Sequence, residues 1–143
     1  ELRRLIKLMY ILSPIDSQPL IQHALVHYPD EMELLTTAFA CAVSPDLLPL
    51  LRQQVTNPQW EVRVQLAKAL ARLGDSSDAP LLVKMLSDPN WWVRYRSAQS
   101  LISLPGIDDA QLQLWQQQLT DPFALAILLQ VKEEQQRQQQ GRT

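Results

Sequence analysis

The chain repeats itself. Leu48-Pro49-Leu50-Leu51 aligns with Ala79-Pro80-Leu81-Leu82 at an offset of 31 residues. Asn57-Pro58-Gln59-Trp60-Glu61-Val62-Arg63 then aligns with Asp88-Pro89-Asn90-Trp91-Trp92-Val93-Arg94 at the same offset. Ala67, Leu70 and Leu73 fall on Ala98, Leu101 and Leu104 without a gap. A period of this length limits the fold to a stack, because a unit of two short elements cannot bury its apolar face alone and must nest against its neighbours. Weaker copies flank the central pair. Gln18-Pro19-Leu20-Ile21 and Pro29 stand upstream, Leu114-Trp115 and Asp121-Pro122 downstream, and their departures from the pattern suit capping units.

Each unit reads as two helices. Leu50, Leu51 and Val55, like Leu81, Leu82 and Leu86, recur at helical rather than alternating spacing. Asn57-Pro58 and Asp88-Pro89 suggest starts for the second helices, with the Asn or Asp side chain capping free N–H groups and Pro at the first helical position. Asp30 followed by Glu33 suggests a capping box. Ser44-Pro45, Gly74 and Pro105-Gly106 suit helix ends. The spacing predicts helices over 2–12, 17–27, 30–43, 46–56, 58–73, 77–87, 89–104, 108–119 and 121–137, with no strand. The expected organisation is one domain over 1–137 and a frayed tail over 138–143, where Gln and charge replace the apolar stripe.

Composition narrows the function classes. Of 143 residues, 46% are hydrophobic, which supports a sizeable core. Thirteen Lys and Arg against fifteen Asp and Glu remove the global basic excess of a protein held to nucleic acid mainly by charge. The single cysteine, Cys41, excludes an internal disulfide and falls in a Leu slot of the repeat, so it reads as a small core residue. Three glycines and the lack of GxGxxG or Walker patterns argue against phosphate loops, and no apolar run reaches the length of a membrane span. His23 and His27 have the spacing of two metal ligands without an evident third, so no metal or cofactor is expected. The expected location is cytoplasmic, with a membrane tether outside this stretch as the other option, since the sequence begins at Glu1 and shows no signal pattern.

The Asp-Pro-x-Trp-x-Val-Arg opening of the second helix, with Ala and Leu five and eight residues after the Val, resembles the short bacterial HEAT-like repeats of the phycobilisome-lyase type. Pro58, Val62, Arg63, Ala67, Leu70, Leu73, Gly74 and Asp75 carry the resemblance, with Pro89, Val93, Arg94, Ala98, Leu101 and Leu104. It covers roughly residues 14–131. Glu33-Leu34 and Ala126-Ile127 replace Val-Arg in the outer units, which therefore read as caps. The resemblance implies an all-α, right-handed α-solenoid of about four stacked helix pairs whose second helices line a binding surface. It further implies that the repeated arginine packs across the stack and pairs with a carboxylate, for which Asp75, Asp78, Asp108 and Asp109 are available.

The repeat also sorts candidates. Positions filled alike in both central units are demanded by stacking, so Trp60 and Trp91 are expected to be buried between units. Positions that differ and point away from the stripe are candidate contacts: Trp92, Tyr95, Arg96 and Gln99 on the 89–104 helix, and Glu61, Gln65, Lys68 and Arg72 on the 58–73 helix. Residues 52–96 carry seven basic and four acidic side chains, while residues 30–33 carry three acids in four positions, so charge is polarised along the chain. Trp beside Arg is a combination enriched at binding hot spots. The leading expectation is a non-catalytic scaffold that binds another protein or a peptide segment, with nucleic acid disfavoured. The alternative is a HEAT-like enzyme or ligand-handling protein, bilin lyase-like or DNA glycosylase-like.

Overall fold

A computed structural model describes residues 2–141, and all regular structure among them is helical. The helices group into two compact units, one running through Gly74 and the other beginning at Asp75.

The first unit holds α1 (Leu2–Ile11), α2 (Pro14–His27), α3 (Met32–Cys41), α4 (Leu48–Arg52) and α5 (Trp60–Leu73). Helix α3 is its centre, packed by α1, α2 and α5, and α4 lies against α2 and α5. Leu34, Leu35 and Phe39 of α3 and Val62, Leu66, Ala67 and Leu70 of α5 are excluded from solvent. The second unit holds α6 (Ala79–Met85), α7 (Trp91–Ser103), α8 (Asp109–Gln118) and α9 (Pro122–Gly141), with α7 packed between α6 and α9. Its core is built by Leu82, Val93, Ala98, Leu101, Ala124 and Leu128.

Every expected helix is present, and the differences lie at the ends. The 46–56 segment is α4 with a 3-10 turn on each side, Pro45–Leu47 and Gln53–Thr56. Pro49 explains the first break, since it has no N–H to give an earlier carbonyl and is tolerated where the α-helix starts with Pro in its first turn. Pro80 starts α6 in the same way, after a turn over Ser76–Asp78. Helices α5 and α7 begin at Trp60 and Trp91 rather than at 58 and 89. Asn57 and Asp88 do not cap them. Asn57 Oδ1 accepts from the Gln59 N–H at 2.8 Å and Asp88 Oδ1 from the Asn90 N–H at 2.9 Å, forming Asx turns that aim the chain into the helix. A third copy precedes α9, where Asp121 Oδ1 accepts from the Phe123 N–H at 2.9 Å.

The Asp30 capping box is not formed, because α3 starts after Glu31, whose side chain makes no capping bond. The box occurs instead at Asp75, which accepts from the Ser77 N–H, while its own N–H donates to Asp78 Oδ2 at 3.1 Å. Of the tail expected to fray over 138–143, residues 138–141 are helical, and residues 142–143 lie outside the described residues. Of the expected stops, Gly106 alone needs glycine for its backbone, at φ 79°.

Candidate partner-binding surface

The scaffold residues come first, because they decide which side chains are free to meet a partner. Arg63 Nη1 donates to the Asn57 carbonyl at 2.8 Å, and Arg94 Nη1 donates to the Asp88 carbonyl at 2.8 Å. The repeated arginine thus closes each Asx turn from six residues downstream. Arg94 also donates to the Pro89 carbonyl at 3.2 Å, and its guanidinium carbon sits 5.9 Å from the centre of the Phe123 ring. Asp121, which the resemblance did not offer, is a carboxylate beside Arg94. Asp121 is held below the usual carboxylate range, first by a hydrogen bond from the Ser87 side chain, then by the Phe123 N–H, with a smaller contribution from Arg94.

In the first unit the candidate row lies on α5. Glu61, Gln65 and Lys68 are half-buried, and Arg72 is exposed. Arg72 is nevertheless committed to the fold, since its Nη2 donates to the carbonyls of Phe39 at 2.9 Å and Ala42 at 3.2 Å. A cation there satisfies carbonyls at the end of α3 and complements the negative end of its dipole. Gln18 holds the same turn from the other side. Its Oε1 accepts from the N–H groups of Val43 and Ser44, and its Nε2 donates to the Cys41 carbonyl at 3.3 Å.

In the second unit the row lies on α7 and is different in kind. Asn90 is the N-cap, its Oδ1 accepting from the N–H groups of Trp92 at 2.8 Å and Val93 at 3.4 Å, which fixes the first turn where the tryptophans stand. Trp92 is 53% exposed. Trp91 stacks on Tyr95 with ring centroids 4.9 Å apart and planes at 12°, as the four-residue spacing allows. Trp92 meets Trp91 edge-on at 4.9 Å and Tyr95 at 6.4 Å. The Tyr95 hydroxyl donates to Glu134 Oε2 of α9 at 2.7 Å, so the cluster is tied to a neighbouring helix. That bond pushes the Tyr95 phenol above its ordinary range and, with a second from Gln130, holds Glu134 below its own. Arg96 is exposed and donates to Gln99 Oε1 at 3.2 Å.

The expectation that Trp60 and Trp91 are buried is overturned: they are 39% and 41% exposed. Each stands in the first turn of its helix, where Val62 and Val93, two residues on, take the inward position. Trp91 therefore joins the candidate surface, which the repeat argument had withheld from it. The signal was present in Tyr95, which occupies the slot of Val64 and supplies Trp91 with a stacking partner that Trp60 lacks. Glu134 was missed because nothing local in the sequence pairs it with α7.

Two other candidates are placed without forming a site. His23 and His27 are exposed, with ring centroids 4.6 Å apart, and Tyr28 lies 5.9 Å from His23. Among the described residues no group of three or more His, Cys, Asp or Glu could hold a metal ion. Cys41 is half-buried rather than sealed in the core; its Sγ faces the Met9 carbonyl at 3.8 Å, and burial pushes its thiol up. No described helix is long and apolar enough to cross a membrane.

Comparison with known proteins agrees with the repeat geometry. The family model for HEAT repeats matches residues 17–102, which spans α2 through most of α7. No curated protein and no solved structure matches the chain. With paired helices, repeated Asx turns and repeated arginine clasps all falling inside the matched stretch, the chain belongs to the HEAT repeat family.

Proposed function

We propose that the protein is a non-catalytic interaction scaffold that captures another protein, or a segment of one, on the outward face of α7. HEAT repeats commonly serve as protein-interaction scaffolds and are generally non-catalytic. The observation that carries the reading is the pair of exposed indoles, Trp91 and Trp92, packed on a half-buried Tyr95, with exposed Arg96 beside them. Two indole rings left largely exposed in the first turn of one helix are costly unless something covers them. Trp, Tyr and Arg are also the side chains that dominate binding hot spots, because they join a large contact area to directed polar groups. The cluster is preorganised by the Asn90 cap, the Trp91–Tyr95 stack and the Tyr95–Glu134 bond, so little side-chain freedom is lost on docking.

Gln99 belongs to this surface as the polar partner of Arg96. Glu61, Gln65 and Lys68 on α5 form a separate polar face that we assign a supporting role, and Arg72 acts there through the fold. The test is quantitative capture of partners by the whole chain and by two variants. Trp92→Ala and Arg96→Glu are expected to lower capture by at least about thirtyfold and severalfold respectively, with thermal stability nearly unchanged. Unfolding of Trp92→Ala, or undiminished capture, would overturn the assignment.

A further inference from the structure

A second surface, at the first helix, differs from the α7 cluster in both charge and chemistry. Arg3, Arg4, Lys7, Tyr10 and Ile11 are all exposed, while Leu5 and Met9 of the same helix are buried. At 3.6 residues per turn the five exposed side chains fall within an arc of roughly 120°, opposite the two buried ones. Along that arc the chemistry changes in order. The first two turns carry three cations and the last turn carries Tyr10 at 72% exposure and Ile11 at 65%; the first turn of α2, close behind in sequence, adds Ile15 at 81%. Three of the thirteen basic residues lie in α1, which has no acid, and Asp16 is the only acid between residues 2 and 29 of a protein whose net charge is negative.

We infer that this face docks on the surface of an anionic lipid bilayer, with Tyr10, Ile11 and Ile15 entering the boundary between headgroups and acyl chains. The cations complement anionic headgroups, each adding to adsorption, and their long stems reach along the apolar surface while keeping the charge in water. Tyrosine prefers the interface itself, and protruding isoleucines supply apolar area that an acidic protein partner would not require. The mode is peripheral, since α1 has 10 residues and is too short to span.

The experiment is co-sedimentation of the whole chain with vesicles of phosphatidylglycerol in phosphatidylcholine, and with phosphatidylcholine alone, at low and high salt. Partition onto the anionic vesicles alone, weakening with salt, is expected. The triple variant Arg3→Glu, Arg4→Glu and Lys7→Glu should lower it by about a hundredfold or more. Ile11→Asp with Ile15→Asp should lower it at least tenfold with every cation in place, and Trp92→Ala should leave it unchanged. All substituted side chains are exposed, so melting temperatures serve as the control for folding. Absence of partition at low salt overturns the inference. So does loss with the charge variant but not with the isoleucine variant, which would assign the face to an acidic protein. A dimer abolished by Ile15→Asp without vesicle binding would assign it to a second copy.

Discussion

Helices α5 and α7 occupy equivalent places in successive repeats, and they agree where the fold needs them and differ where it does not. Both follow an Asx turn, both send an arginine back to the carbonyl six residues earlier at 2.8 Å, and both bury Val, Ala and Leu at matching positions. On their outer faces they part. Helix α5 places Val64 after Trp60 and carries in its last turn Arg72, which holds α3; helix α7 places Tyr95 after Trp91, adds Trp92 and has Ser103 at the slot of Arg72. Shared positions build the repeat, and the differences on one frame are where a particular function can be written.

The sharpest way to break that comparison is inside the core. Leu66 and Ser97 fill the same slot, and both are fully buried. Leu66→Ala should cost about 2–5 kcal/mol by denaturant unfolding. Ser97 Oγ has no hydrogen-bond partner among the described residues, so Ser97→Ala should instead raise stability by about 1 kcal/mol. A loss at both sites would mean the serine hydroxyl is satisfied in solution.

The next effect concerns the end of α3. Gln18→Ala and Arg72→Ala each remove bonds to backbone groups there and should cost about 1–3 kcal/mol, whereas Ser103→Ala, at the slot of Arg72, should stay within about 0.5 kcal/mol. Equal effects of Arg72→Ala and Ser103→Ala would erase the distinction between a side chain serving the fold and its counterpart on the other helix.

The smallest effect is on pH dependence. The Tyr95 bond holds Glu134 below its ordinary value of 4.5, so its contribution is complete above that value and is lost as pH falls through the lower folded one. Tyr95, pushed above 10.0, contributes fully below that value and loses its share as pH rises through the folded one. Tyr95→Phe should flatten the acid-side slope of stability against pH slightly and remove Tyr95's share of the alkaline one. Unchanged slopes would mean that the α7 cluster is not tied to α9 by this bond.

The repeat makes most of the architecture legible in the sequence, because stacking imposes the same apolar spacing on every unit and the second helices carry it plainly in Val62-Arg63 and Val93-Arg94. Helix starts were less legible. An Asx turn and an N-cap use the same residue types, so Asn57 and Asp88 read as caps when the turn lies two residues earlier than the helix. The candidate surface was partly legible: Trp92, Tyr95, Arg96 and Gln99 follow from helical spacing. Trp91 was hidden by its own repetition, since sameness between units signals a shared role without saying whether that role faces inward. Arg72 misled for the opposite reason, its commitment to Phe39 and Ala42 being a contact 33 and 30 residues away in sequence.

The most direct measurement compares Trp92→Ala with Trp60→Ala in the whole chain, reading partner capture by quantitative affinity purification and stability by thermal unfolding. The scaffold account predicts that Trp92→Ala loses the proteins that wild type retains while Trp60→Ala keeps them, with both variants melting close to wild type. Retention of the same proteins by Trp92→Ala, or their equal loss from both variants, would contradict it.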